Sequence, residues 1–371
     1  MQKVVSWLKD SKYIAPLSPA CRMCATGSKM VLLITGLCPA KCYYCPLSEK
    51  KLGKDRIFAD EWELDNKEDT EKLILEAKYI NAKGAGITGG DPLIVWERTK
   101  KYISFLKDNF GSKFHIHLYT SGKKNGFSIN DLVSAGLDEI RFHPLPEYWN
   151  KMNKNPLINT IKIALKTDVD VAIEIPVIPN CEKEIISLIK WADKLGLKWI
   201  NLNELEFSET NSMNLTKKGF NIKDDISSAV KGSEETAYNI LDLISKEDCD
   251  IGVHYCSSSF KDGIQLKNRI KTRAKNIVKN FETITDEGTI LKGVIYSEKI
   301  TLENILKILK EDFNVQEKFL FKNLKKNRVE IAVWILENIA KSLEKLGLKC
   351  FLIEEYPTAD ALEVERIPLP V

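Results

Sequence analysis

Cys38-Pro39-Ala40-Lys41-Cys42-Tyr43-Tyr44-Cys45 decides the reading of this chain. Three cysteines stand at C-x3-C-x2-C spacing on one short loop, just after the apolar, β-rich run Met30–Thr35 and Gly36. Three thiolates on one loop can hold three irons of a 4Fe–4S cluster, which leaves the fourth iron open to a small molecule. A structural zinc site wants four ligands, usually in two pairs. Ferredoxin loops supply a fourth cysteine. The triplet therefore predicts a cluster with one reactive iron.

The run before the loop is the first of a series. Similar runs recur at Ala85–Thr88, Phe114–Thr120, Glu139–Phe142, Val169–Val177, Trp199–Asn203 and Ile251–Tyr255. Helical patterns separate most of them: Thr70–Ala82, Thr99–Asn109, Ile129–Ala135, Leu157–Lys166 and Lys183–Leu195. Gly84, Gly136 and Gly196 follow such patterns, where a left-handed residue commonly stops a helix. Strands alternating with helices predict a parallel sheet with crossovers. Polar residues close nearly every strand: Thr88, Tyr119–Ser121, Arg141 and His143, Glu174, Asn203 and Glu204, His254 and Cys256. A barrel collects its site from many strand ends, whereas an open sheet uses one switch point. The spread favours a β/α barrel.

Taken together, these residues resemble the radical S-adenosylmethionine superfamily. Its signature is this cysteine loop after the first strand of a partial barrel, with an aromatic residue before the last cysteine, here Tyr44. The resemblance implies that Cys38, Cys42 and Cys45 bind a 4Fe–4S cluster whose open iron chelates S-adenosylmethionine. Reductive cleavage would then give a 5′-deoxyadenosyl radical that takes hydrogen from a substrate. Gly86-Ile87-Thr88-Gly89-Gly90-Asp91-Pro92 resembles the family's Gly-Gly-Glu-Pro motif, with Asp91 in place of glutamate. Tyr119-Thr120-Ser121-Gly122 resembles a strand end of glycyl-radical activating enzymes, and His143 closes the next strand. The implied cofactor contacts are Tyr44, Gly89, Gly90, Asp91, Thr120, Ser121 and His143. As a whole the chain is similar to an archaeal-type group related to pyruvate formate-lyase activating enzyme. The expected fold is α/β, a partial (β/α)6-type radical SAM barrel with a small C-terminal α+β domain. The expected boundaries are an N-terminal extension 1–29, the barrel 30–260, a basic connecting helix 261–285 and the small domain 286–371.

Cys21-Arg22-Met23-Cys24 is half a metal site by spacing. Cys256 could supply the other half, with His254 two residues earlier, if the first and last strands of a closed barrel are neighbours. The expectation is a second metal, zinc or an auxiliary iron–sulfur cluster. Cys181, Cys249 and Cys350 stand apart and read as buried packing residues. Glu174 in the apolar run Ile173-Glu174-Ile175-Pro176 must be paired or functional; ribose hydroxyls, a cationic substrate or the Arg141 side chain are its candidate partners.

The 371 residues allow two or three domains, with composition ordinary for a globular protein. The charged N-terminus lacks a signal peptide's apolar stretch, and no run approaches a membrane span. A reducing cytosol is the expected compartment, where clustered cysteines bind metal. The net charge of +3 hides +6 within 261–280, from Lys261, Lys267, Arg269, Lys271, Arg273, Lys275 and Lys279 against Asp262. Lys318, Lys322, Lys325, Lys326 and Arg328 form a second basic group. Both groups are either solvated helix faces or contacts for an RNA substrate. Protein and metabolite substrates compete with RNA, and S-adenosylmethionine and a reductant such as ferredoxin or flavodoxin are the other expected partners. The alternative function is a non-catalytic iron–sulfur carrier or scaffold, which would have no use for a methionine-binding strand end.

Overall fold

A computed structural model describes residues 2–65, 69–123 and 127–370. They form two compact units, 1–268 and 269–371. The first unit opens with a hairpin, β1 (Val4–Ser6) and β2 (Lys12–Ile14), then a short helix, α1 (Pro19–Ala25). The repeating part follows: β3 (Lys29–Leu33), a hairpin of β4 (Ile57–Ala59) and β5 (Trp62–Leu64), α2 (Thr70–Tyr79), β6 (Gly84–Thr88), α3 (Trp96–Phe110), β7 (His115–Thr120), α4 (Ile129–Ser134) and β8 (Glu139–Phe142). It continues through α5 (Leu157–Ala164), β9 (Asp170–Val177), α6 (Glu182–Leu195), β10 (Trp199–Glu204), α7 (Ser212–Lys217), α8 (Ser233–Ser245) and β11 (Gly252–Cys256).

Seven strands, β3 and β6 through β11, are parallel and stand in chain order. The expected six-unit barrel therefore has a seventh parallel strand. The condition set for a Cys256 half-site, neighbouring first and last strands, is not met: β3 pairs with β4 on its far side, and β11 pairs with β2. First and last parallel strands thus each carry an antiparallel cap, and the barrel is partial.

Alternation along the strands separates two faces. Ile116, Leu118, Ile140, Phe142, Ile173, Ile175, Ile200, Leu202 and Val253 are buried in the main apolar core. Their neighbours, including Tyr119, Arg141, His143, Glu174, Asn201, Asn203, His254 and Cys256, line a cavity inside the barrel. An ordinary β/α barrel fills that space with branched aliphatic side chains. A polar lumen implies a chamber for ligands.

The glycine expectations divide. Gly136 and Gly196 are left-handed, at φ 108° and 82°. Gly84 instead begins β6, and Asn81 supplies the left-handed turn at φ 50°. A Cβ on Gly84 would meet the His115 carbonyl oxygen at 2.2 Å, so close strand approach requires glycine there.

After β11 comes a helix-like run, α9 (Ser258–Phe260), a π turn (Lys261–Leu266) and α10 (Lys267–Ile277). The boundary between the units falls inside α10. The second unit is an antiparallel sheet of β12 (Thr283–Ile284), β13 (Ile290–Tyr296), β14 (Leu320–Asn323), β15 (Arg328–Ile331), β16 (Lys349–Glu355) and β17 (Glu363–Leu369). Helices α11 (Leu302–Glu311) and α12 (Val333–Lys345) share one core with Ile295, Val329, Ile331 and Cys350 of the sheet. A helix over Arg328–Leu346 is the natural periodic reading, yet Arg328–Ile331 is a strand. Left-handed Asn327, at φ 48°, turns β14 into β15. Alternation then sends Val329 and Ile331 into the core, while Arg328 pairs with Glu330 at 2.6 Å and Glu355 at 2.7 Å.

The basic groups are less exposed than their count implies. Arg273 is buried, and Lys261 pairs with Glu206 at 2.7 Å. Lys279 lies 3.5 Å from Glu330. In the second group Arg328 is buried and Lys326 pairs with Glu355.

Candidate functional site

The cavity inside the first unit measures about 1150 Å³. Cys38, Cys42 and Cys45 lie on its wall, with Tyr44, Gly89, Gly90, Thr120, Ser121 and His143. Cys21, Cys24 and Cys256 open into the same space. Two of the nine expected packing and ligand cysteines, Cys249 and Cys350, are buried away from it, while Cys181 is only half-buried, at the start of α6.

The cysteine loop is seated by backbone contacts that only glycine permits. Gly90 N donates to Thr35 O at 2.8 Å, and Asp91 N donates to Leu37 O at 2.8 Å. A Cβ on Gly90 would fall 2.2 Å from Leu37 O, and one on Gly36 would fall 1.6 Å from Lys51 O. The end of β6 therefore lies directly against the residues that lead into Cys38. Arg98 clamps the return of the loop, donating to both oxygens of Asp55 at 2.6 and 2.8 Å and to Ile34 O at 3.0 Å.

Asp91 differs from its expected place. It is fully buried behind the cavity wall. Its carboxylate accepts from Thr120 Oγ1 at 2.8 Å, Ser121 N at 3.0 Å, Ser121 Oγ at 2.5 Å and Leu93 N at 3.0 Å. These bonds tie the end of β6 to the end of β7 and satisfy the acidic group that burial would otherwise penalise. Asp91 is thus a positioning residue, and Thr120 and Ser121 stand on the wall because it holds them.

His143 is also redirected. Its Nδ1–H donates to Glu174 O at 2.8 Å, so Nε2 is the acceptor for Tyr44 O–H at 2.9 Å. Both ring nitrogens are therefore occupied by the protein. Burial holds the ring's pKa below its ordinary value, and a neutral ring matches this bonding. His143 anchors Tyr44, and Tyr44 fixes the loop between Cys42 and Cys45.

A strap after β10, outside the sequence expectations, completes the seating. Thr210 Oγ1 donates to Leu47 O at 2.8 Å, and Asn211 Nδ2 donates to Tyr44 O at 3.1 Å. Ser208 N donates to Asn211 Oδ1 at 2.8 Å and Asn211 N donates to Ser208 Oγ at 3.3 Å, a reciprocal capping-box pattern that aims the asparagine. The Ser208-x-x-Asn211 spacing was the available signal.

Helix α1 contributes Cys21 and Cys24 to the cavity wall. Ser18 caps it, accepting from Ala20 N at 3.1 Å. The same hydroxyl donates to Glu139 at 2.8 Å and accepts from Arg141 at 3.0 Å. Arg141 pairs with Glu139 at 2.5 Å and with Glu174 at 2.6 Å, as the chemistry of a buried carboxylate required. Cys21 Sγ lies 3.6 Å from Arg141 Nη2 and 3.9 Å from Asn201 Oδ1. Cys256 Sγ lies 3.7 Å from Gln265 Nε2. Cys21, on α1, and Cys256, on β11, thus line one cavity.

Burial raises the thiol pKa of Cys38 to about 11 and that of Cys21 to about 12, and it raises Cys24, Cys42 and Cys256 as well. These thiols are protonated at neutral pH, and metal uptake must expel their protons. Among the described residues, no three cysteine, histidine or carboxylate side chains already converge around an ion. That holds for both cysteine sets alike. The fit of Cys38, Cys42 and Cys45 to a cluster rests on three soft donors on one loop without helix or strand, all on the cavity wall.

Comparison with known proteins bears on the same residues. The family model described as the radical SAM superfamily matches residues 32–202. A model described as a domain of unknown function, DUF8061, matches residues 288–369. A protein of Methanocaldococcus jannaschii, provisionally named a glycyl-radical enzyme activating enzyme, is 42% identical over 362 residues, covering 95% of this chain and 93% of its own length. Among solved structures, Streptococcus suis SuiB bound to S-adenosylmethionine aligns over 62% of this chain and 50% of its own, with 11% identity and a TM-score of 0.43. TsrM from Kitasatospora setae, a radical S-adenosylmethionine methyltransferase with cobalamin and a 4Fe–4S cluster, aligns over 68% of this chain and 52% of its own, with 11% identity and a TM-score of 0.37. The chain spans about half the length of these two structures. Among the described residues, no helix is long and apolar enough to cross a membrane.

Proposed function

Because this chain belongs to the radical S-adenosylmethionine superfamily, we propose that it is an activating enzyme that abstracts hydrogen from a protein substrate. Within the superfamily, a 4Fe–4S cluster supplies one electron to S-adenosylmethionine, and the 5′-deoxyadenosyl radical released takes a hydrogen atom from the substrate. The residues of this chain do the positioning. Cys38, Cys42 and Cys45 hold the cluster, and Tyr44, anchored by His143, sets the loop. Gly89 and Gly90 bring backbone close to the methionine end of the cofactor. Thr120 and Ser121 offer hydroxyls beside it, in an orientation that Asp91 maintains. The half-enclosed lumen limits water around a reactive intermediate.

One observation carries this reading: the cysteine loop and the Gly89–Gly90 strand end share one wall, held together by Gly90 N–Thr35 O and Asp91 N–Leu37 O. A protein substrate is favoured by the provisional name of the relative. RNA is disfavoured by the inward turn of Lys261, Arg273 and Arg328. The electron comes from a low-potential carrier such as ferredoxin or flavodoxin, and the compartment is a reducing cytosol. A second metal, zinc or an auxiliary iron–sulfur cluster, belongs at Cys21, Cys24 and Cys256, which share the lumen.

The test compares cell extracts from the source organism as stimulants of 5′-deoxyadenosine formation. Stimulation should vanish after protease treatment and survive ribonuclease. The opposite result would assign the substrate to RNA, and stimulation by a small-molecule filtrate would assign it to a metabolite.

A further inference from the structure

The segment that carries the three loop cysteines also carries a group of solvated lysines. From Cys38 to Arg56 the basic residues are Lys41, Lys50, Lys51, Lys54 and Arg56, against Glu49 and Asp55. Asp55 is taken up inside the fold, since both its oxygens accept from Arg98. Arg56 lies 3.5 Å from Glu63. Lys41, Lys50 and Lys54 are exposed, and no ion pair engages them among the described residues.

Backbone bonds stitch this segment to the base of the cysteine loop. Gly36 N, just ahead of Cys38, donates to Lys54 O at 2.8 Å, and Gly53 N donates to Gly36 O at 2.9 Å. The strap and helix α7 join the same rim. Thr210 Oγ1 lies 3.3 Å from Cys45 O. Lys218, just after α7, places Nζ 4.4 Å from the centre of the Tyr43 ring. Lys217 and Lys218 are exposed; Glu209 is the exposed acid of that segment, as Glu49 is of the loop. Two apolar side chains on these segments also reach water, Leu52 at 42% and Met213 at 74%. The basic run 261–280 behaves differently, because Lys261 and Arg273 are turned to protein partners. The lysines around the cysteine loop stay in water.

We propose that this rim is the docking surface of a small acidic one-electron carrier protein, and that the electron enters the cluster across the cysteine loop. This rests on the reading that Cys38, Cys42 and Cys45 hold a cluster. Redox encounters bury little area and depend on complementary charge for their rate. Solvated lysines steer an acidic partner, and Leu52 and Met213 offer it apolar contact once it arrives. A carrier has only to come close to the loop, whereas a substrate must pass it and reach into the lumen. The rim lies on the loop itself, which favours the carrier over an acidic face of the protein substrate. In each encounter the carrier is oxidised by one electron and the cluster reduced by one, with no covalent bond formed between the proteins.

The test uses the full-length, cluster-loaded protein and reads the bleaching of cluster absorbance, which needs no S-adenosylmethionine. Reduced flavodoxin is one reductant, and photoreduced deazariboflavin, small and uncharged, is the other. The triple variant Lys50→Glu, Lys54→Glu, Lys218→Glu should slow bleaching by flavodoxin on the order of tenfold at low salt and leave bleaching by deazariboflavin unchanged. In the unaltered protein, raising ionic strength from about 0.05 to about 0.5 M should slow flavodoxin and not deazariboflavin. Equal flavodoxin rates in variant and unaltered protein, or a rate indifferent to salt, would overturn the docking surface. A variant that keeps its flavodoxin rate but loses extract-stimulated 5′-deoxyadenosine formation would overturn it too, and would assign the rim to the protein substrate. If the variant fails to fold or loads no cluster, the salt dependence of the unaltered protein decides. Normal, salt-sensitive bleaching without cleavage of S-adenosylmethionine would overturn the enzyme reading and leave the docking surface standing.

Discussion

The two cysteine sets that line the lumen are assembled in opposite ways. Cys38, Cys42 and Cys45 come from eight consecutive residues, half-buried, on a loop pinned from outside by Arg98, Thr210 and Asn211. Cys21 and Cys24 come from a helix and Cys256 from the last parallel strand; Cys21 touches the buried Arg141 and Asn201, and Cys256 touches Gln265. The first arrangement gives a loop that can close around a cluster while one side stays open to a cofactor. The second sets its thiols on a capped helix and a parallel strand.

Substitutions can break that contrast, and the largest effect belongs to the loop. Cys42→Ala should abolish the cluster absorbance of the reconstituted protein and reduce 5′-deoxyadenosine to background, with thermal stability nearly unchanged. Cys24→Ala should leave four irons and the cluster spectrum intact while removing the second metal; loss of the cluster in this variant would erase the distinction between the sets.

Next come the groups that seat the loop. Asp91→Ala leaves the Thr120 and Ser121 donors without an acceptor and should cost about 3 kcal/mol in denaturant unfolding. Its KM for S-adenosylmethionine should rise as the two hydroxyls lose their orientation. Gly90→Ala drives a Cβ toward the Leu37 carbonyl and should cost about 1–3 kcal/mol. An unchanged unfolding midpoint in either variant would show that the β6 end does not seat the loop.

Proton release sharpens the comparison further. Burial raises the Cys38 and Cys42 thiols, so both are protonated at neutral pH. Cluster uptake must expel those protons, and apparent affinity should climb by up to about tenfold per pH unit per thiol between pH 7 and 9. Reconstitution in weak buffer should therefore acidify the solution. Tyr44→Phe is the mildest change. It strands His143 Nε2 and should cost about 1 kcal/mol while the cluster still forms.

Much of this was legible in the residues themselves. The seven β-rich runs correspond to the seven parallel strands because their outward faces are continuous Ile, Leu and Val. The loop spacing stands out for the same local reason, as does the Gly89–Gly90 strand end. What was hidden depends on distant pairing. Asp91 reads as a wall residue until its bonds to Thr120 and Ser121 are known. His143 reads as a ligand contact until Tyr44 and the Glu174 carbonyl claim both nitrogens. The strand Arg328–Ile331 was masked because Ile331, Ile335 and Ile339 also fit a helical period, and only the turn at Asn327 separates them. Cys21 and Cys256 line one cavity although the first and last parallel strands neighbour β4 and β2 and not each other, and that placement depends on a helix whose position no local spacing reveals.

Anaerobic incubation of the cluster-loaded, dithionite-reduced protein with S-adenosylmethionine tests the central claim most directly. The account predicts 5′-deoxyadenosine and methionine in equal amounts, formed by the unaltered protein and not by Cys42→Ala. A fully reduced 4Fe–4S protein that binds S-adenosylmethionine and yields neither product, with or without cell extract, would contradict it.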